Sequence, residues 1–193
     1  MKLKDIWTMK NKKLHQQLSQ IDNEAFSAFC NSFGSINWNA DFKDDEDEYC
    51  GIDLQLTAQT LNRKNTYDIE LKCRFQNKLY SDCFFEWEKW YRLVYWDNET
   101  KLYVAIYPYC NKIAIWNVNT DLLKKSERAL IKMNYSFCGS HEKVEKQVLK
   151  FKLSDAKLFD YDLTPFKEKY NAIYKQIQEK EQARLQAQMA QLK

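Results

Sequence analysis

Two runs of alternating residues, joined by a short polar stretch, constrain this chain more than any other feature. Ile52, Leu54, Leu56 and Ala58 alternate with Asp53, Gln55, Thr57 and Gln59. After Leu61-Asn62-Arg63-Lys64-Asn65 the alternation resumes, with Tyr67, Ile69, Leu71 and Cys73 against Asp68, Glu70, Lys72 and Arg74. A period of two belongs to a strand with one buried face, and two such runs around a polar tip predict an antiparallel hairpin. The midpoint of Asp53 and Glu70 falls between Leu61 and Asn62. A turn symmetric about that point sets the two carboxylates across from one another, about 5 Å apart. Facing carboxylates repel and require a cation. Lys72, on the same face, supplies one charge; a divalent ion would supply more, and oxygen ligands suit Mg²⁺ or Mn²⁺.

Around the hairpin the period changes several times. Leu14, Leu18, Ile21, Ala25, Ala28 and Phe29 predict an amphipathic helix over residues 9–33, ended near Gly34. A loop is expected from there to Gly51. Residues 82–95 have helical spacing, with Phe84, Trp87, Tyr91 and Val94 on one face. Leu102–Tyr107 is apolar on both faces, as in a central strand, and Lys112–Val118 is expected to pair with it. A helix over Asp121–Met133 and a short strand over Gln147–Leu153 follow. Thr164-Pro165 predicts a helix start, with Phe166, Tyr170, Ile173 and Ile177 buried and a polar second half beyond Gln178. The expected architecture is an α/β domain over residues 1–163 and a C-terminal helix over 164–193, projecting into solvent or pairing two copies.

Gly51-Ile52-Asp53-Leu54, sixteen residues, then Glu70-Leu71-Lys72 is a pattern that resembles the PD-(D/E)XK nuclease superfamily, the restriction-endonuclease-like fold. Ile52-Asp53 stands for the family's Pro-Asp and Glu70-Leu71-Lys72 for its E-x-K. The order of helix, hairpin, helix and strand is similar to the family's αβββαβ core, a mixed sheet flanked by helices, over roughly residues 9–118. The resemblance implies that Asp53, Glu70 and the backbone carbonyl of Leu71 hold one or two Mg²⁺ (or Mn²⁺). A water activated there would attack a phosphodiester, with Lys72 orienting it or stabilising developing charge. Members often add an acid from the first helix, which points to Glu24; Asp68 shares the face and is a weaker further ligand. The bare acidic-x-Lys pattern recurs as Asp41-x-Lys43, Glu99-x-Lys101 and Asp155-x-Lys157. Only Glu70-x-Lys72 has apolar neighbours and an acid one hairpin away.

The expected substrate is nucleic acid, DNA in the first place. Arg63, Lys64, Arg74, Lys89 and Arg92 are the candidates for gripping its phosphates. Trp87, Trp90, Tyr91 and Trp96 could stack on bases, although at helical spacing such residues more often form core. The net charge of +3 in 193 residues is small for a DNA-binding domain, but the charges are blocked, with an acidic run over residues 41–48. Six scattered Cys and the lack of a long apolar run or leader-like segment point to a reducing cytoplasm without membrane insertion. No GxGxxG or Walker A pattern occurs among the three Gly. Cys138-x-x-His141 is half of a zinc motif and is read as a free thiol, and His15 has no partner at a telling spacing. Two competing readings remain: a catalytically inactive nuclease-fold protein acting as a binding or regulatory subunit, and an unrelated α/β interaction module with an ordinary solvated sheet face.

Overall fold

The computed structural model describes residues 3–42, 53–95, 100–134 and 143–191. The acidic run from Lys43 on, Trp96 and the Cys138–His141 pair lie outside them, as does the side chain of His15. No helix among the described residues is long and apolar enough to cross a membrane.

The hairpin forms as its alternation requires. β2 (Leu54–Gln59) and β3 (Lys64–Cys73) are antiparallel, in register from Leu54 opposite Ile69 to Gln59 opposite Lys64. The tip closes with the Thr60 N–H donating to the Arg63 carbonyl at 2.8 Å. β1 (Asn37–Phe42) lies on the outer side of β2. It falls in the stretch expected to be a loop, although Trp38, Ala40 and Phe42 alternate with Asn37, Asn39 and Asp41 and turn to the half-buried side. On its other side β3 runs parallel to β5 (Thr100–Tyr107), which is followed by antiparallel β6 (Lys112–Asn117). β9 (Lys157–Asp160), which has no clear period, closes that end of the sheet. The resulting mixed sheet has the order β1-β2-β3-β5-β6-β9. As expected of a central strand, β5 is buried on both faces from Tyr103 to Tyr107.

One face of the sheet is covered by α1 (Leu3–Asn31) and α4 (Thr164–Gln191). Ala25, Phe26 and Phe29 pack on Leu54, Ile69, Leu71, Val104 and Ile113, while Leu14, Leu18 and Ile21 meet Tyr170 and Ile173 of α4. α1 stops before Gly34 because the Ser32 hydroxyl caps the Phe29 carbonyl at 2.6 Å. Thr164 sits inside α4 and not at its cap; Asp162 accepts its N–H at 3.0 Å.

The other face is covered by a three-stranded sheet of order β4-β8-β7 and by α2. Here three expectations are corrected. Residues 82–95 split into β4 (Asp82–Glu86) and α2 (Trp87–Tyr95). Cys83 and Phe85 alternate inward, and α2 buries Trp90 and Leu93 while Tyr91 and Val94 are exposed. The expected helix over 121–133 ends as α3 (Thr120–Lys125), where Ser126 becomes extended and its hydroxyl takes the Leu122 carbonyl at 2.6 Å. The Ala129-Leu130-Ile131 run then forms β7 (Glu127–Asn134), and β8 (Lys143–Lys152) extends four residues before the expected strand. Phe85, Tyr103, Trp116 and Phe151 meet as packed rings in this second core, with centroids 4.6–5.7 Å apart.

Candidate active site

β2 begins at Leu54, and Asp53 just before it is still hydrogen-bonded to β3. The Asp53 N–H donates at 2.9 Å to the carbonyl of Ile69, which is the ladder partner of Leu54, so Asp53 sits one position out of the register that would set it opposite Glu70. The Asp53 carboxylate turns along the sheet edge, where Oδ2 accepts the Leu71 N–H at 2.7 Å. In an extended strand a residue's N–H and C=O point to the same side. The Leu71 carbonyl therefore points to the edge that Asp53 occupies.

Glu70 is 1% exposed, and one of its oxygens, Oε1, receives two ammonium groups: Lys72 at 3.0 Å and Lys89 at 2.9 Å. Lys72 comes from the same face of β3, whereas Lys89 reaches in from α2. Burial alone would raise the Glu70 carboxyl, but the two lysines outweigh it and hold it below the ordinary range. For Lys72, burial opposes the charge; Glu70 and Asp53 outweigh burial and hold the ammonium well above its ordinary range. Among the described residues Asp53 has no such direct ammonium partner. Burial first and the Glu70 charge second push it up to about 6, with Lys72, Lys89 and the Leu71 N–H acting against the rise.

The acid that α1 contributes to this cluster is Asp22, not Glu24. Glu24 faces away, bonded by Gln20 at 3.2 Å and paired with Lys169 of α4 at 2.5 Å. Asp22 accepts the Tyr170 hydroxyl at 2.5 Å and feels the charges of Lys72 and Asp53. Burial pushes it up to about 7, against the Tyr170 hydrogen bond and Lys72. Cys73, beside it, is held well above the usual thiol range by burial and then by Asp22. The signal for Asp22 was present in the sequence: it stands four residues after Leu18 and three before Ala25, inside the apolar stripe. Glu24 is one step round the helix from that stripe.

The remaining candidates divide by their surroundings. Asp68 is no free ligand, because Lys101 pairs with one oxygen and Gln55 donates to the other at 3.0 Å. Arg74 points inward, where Nη2 donates to the Phe84 carbonyl at 2.8 Å and to the Tyr103 hydroxyl. It does not reach for phosphates. Lys89 belongs to the Glu70 cluster. Arg63 and Lys64 are exposed at the hairpin tip, six residues and so about 20 Å along β3 from Glu70. Arg92 is half-exposed, one turn beyond Lys89 on α2. Trp87 and Trp90 stack on each other at 5.0 Å and Arg128 covers the Trp87 ring, so neither offers a free face at the site.

Among the described residues no group of three or more His, Cys, Asp or Glu side chains gathers closely enough to hold a metal ion on its own. The oxygen donors at hand are the carboxylates of Asp53 and Glu70 and the Leu71 carbonyl. That set fits Mg²⁺, which keeps several waters and is commonly bound by one or two carboxylates together with substrate phosphate. It does not fit a metal that demands a full protein cage. Comparison of the chain with family models, with curated proteins and with solved structures finds no match.

Proposed function

We propose that this chain is a divalent-metal-dependent nuclease of the restriction-endonuclease-like fold, hydrolysing phosphodiester bonds in nucleic acid, DNA in the first place. The observation that carries the reading is the gathering of Asp53, Glu70 and Lys72 at the end of the β2–β3 ladder, with the Leu71 N–H holding the Asp53 carboxylate. The order of elements supports it. With β4 set aside, α1-β1-β2-β3-α2-β5 reads αβββαβ, and β5 lies parallel beside β3.

Asp53, Glu70 and the Leu71 carbonyl are the groups that would hold Mg²⁺ or Mn²⁺, which supplies Lewis acidity and a lowered pKa for water. Asp53 is aimed by its bond to Leu71, so its second oxygen is oriented before any ligand arrives. Lys72 remains protonated under all ordinary conditions and serves as a fixed positive charge toward the phosphoryl oxygens, not as a base. Asp22, with its elevated pKa, is placed to exchange a proton near neutral pH. The polar second half of α4 is the surface through which two copies would pair for double-strand cleavage.

The test is cleavage of a panel of single- and double-stranded DNA and RNA in Mg²⁺ and in Mn²⁺. Activity abolished by Asp53→Ala and by Lys72→Ala is the expected result; activity indifferent to both would sink the reading.

One observation favours the inactive-subunit reading. Asp53, Glu70, Lys72 and Lys89 sum to zero charge without any metal, because Lys89 occupies Glu70 from α2. Failure of the intact chain to cleave anything in the panel or to bind Mn²⁺ would select that alternative.

A further inference from the structure

A cavity of about 300 Å³ opens beside the catalytic strand, lined by Phe75, Tyr109, Asn171, Tyr174, Lys175 and Gln178. We propose that it is a subsite for one unpaired nucleobase, so that the substrate is single-stranded, or locally unpaired, where it passes this edge of the molecule. The assignment of its occupant rests on the nuclease reading.

The cavity is linked to the cluster through Phe75 and Tyr170. Phe75 is three residues beyond Lys72, at most about 11 Å along the chain. Its ring meets Tyr170 at 5.1 Å, and Tyr170 holds Asp22 through its hydroxyl. Phe75 lies on the α1/α4 face of the sheet, so a strand whose phosphate lies at Asp53 and Lys72 would round the end of β3 to carry a neighbouring nucleotide past it.

The lining has the chemistry of a base pocket. Phe75 and Tyr174 meet edge to face at 4.4 Å, and Tyr109 adds a third ring from the β5–β6 turn. Lys167 stands 4.9 Å over the Tyr109 ring, and the Tyr109 hydroxyl donates to Asn171. These contacts fix the ring without a core around it. Aromatic rings supply stacking that tolerates any base, and the side-chain amides of Asn171 and Gln178 carry paired donors and acceptors of the kind base edges use. Lys175, 78% exposed and 4.0 Å from the Glu179 carboxylate, stands at the rim, where it would meet a phosphate. The volume lies at the lower end for small-molecule sites and suits a single nucleotide, not a base pair.

The experiment uses the full chain in EDTA with short single-stranded and duplex oligonucleotides, the former carrying 2-aminopurine at successive positions. Quenching of 2-aminopurine on binding at one position is expected. Tyr109→Ala should weaken single-strand binding roughly ten-fold and remove the quenching, with duplex binding unchanged. Lys175→Glu, on the exposed face of α4, should weaken single-strand binding without removing the quenching. Thermal unfolding confirms that both variants fold. No quenching at any position, wild-type affinity in Tyr109→Ala, or equal losses for duplex and single strand would overturn the subsite. Cleavage in Mg²⁺ without quenching removes the subsite and leaves the nuclease; quenching without cleavage leaves the subsite and removes the nuclease.

Discussion

Leu71 donates its backbone N–H to the Asp53 carboxylate at 2.7 Å, one position past the point where β2 ends. The side chain thus accepts a β3 amide one position beyond those of the β2–β3 ladder. Its orientation is inherited from the sheet and does not depend on a bound ligand. An acid held this way is positioned by backbone geometry, and its chemistry can be separated from its structural role.

Asp53→Asn tests that separation. The amide oxygen can still accept the Leu71 N–H, so stability should change by no more than about 1 kcal/mol. Removing the charge should nonetheless lower Mg²⁺-dependent cleavage by at least about a hundred-fold, as expected when a metal-holding carboxylate is lost. Denaturant titration and single-turnover cleavage, on the same preparation, are the two readouts. A loss of stability equal to that of Asp53→Ala would show the hydrogen bond is not kept.

Lys89→Met removes one of the two ammonium groups on a carboxylate that is 1% exposed. Lys72 still neutralises Glu70, so the cost should be about 1–3 kcal/mol, below that of stripping a buried charge bare. The competing cation is gone, and Mn²⁺ should bind more tightly. Calorimetric titration with Mn²⁺ checks it, and unchanged or weaker affinity would show that Lys89 is not a stand-in for the ion.

Asp22→Asn should remove a pH dependence of stability. The folded protein raises Asp22 from 3.8 to about 7 by burial. Its contribution is fully present below about pH 4 and is lost as pH rises through about 7, because the charged form is penalised only in the folded state. The asparagine variant keeps an acceptor for the Tyr170 hydroxyl and carries no such penalty. It should match the parent near pH 4 and exceed it at pH 8, by up to about 4 kcal/mol at 1.36 kcal/mol per pKa unit. Urea midpoints at the two pH values in EDTA decide it.

The hairpin was legible because its register follows from two short-range facts, the alternation and the position of the polar tip. They bring Asp53 to the end of the ladder, where its N–H meets Ile69 one position away from the place opposite Glu70 that strict alternation predicts. Lys89 could not be assigned the same way: its contact with Glu70 spans 19 residues and depends on α2 folding back after β4. The helix over 82–95 failed for a related reason, since Phe84 and Trp87 are three apart on any helix but here sit on a strand and on the helix after it. Residues 121–133 failed because Ser126 ends α3 through its own hydroxyl, a local bond that overrides the residues beyond it. Asp22 was readable as a charge within an apolar stripe, yet its partner Tyr170 lies 148 residues away.

Metal binding should itself be pH-dependent, through Asp53. Its carboxyl is raised to about 6 by burial and by Glu70, so near pH 6 about half of the molecules carry a proton there. A divalent ion binds the ionised form and must displace that proton. Mn²⁺ affinity should therefore fall about ten-fold per pH unit below about 6 and level off above about 7. Between those limits binding should release a fraction of a proton, seen as a calorimetric heat that changes with the ionisation enthalpy of the buffer. Asp53→Asn should abolish both the slope and the buffer dependence, while Asp22→Asn should leave the slope below pH 6 in place. If Mn²⁺ binds with a slope that survives Asp53→Asn, the titrating ligand is another group and Asp53 does not hold the ion.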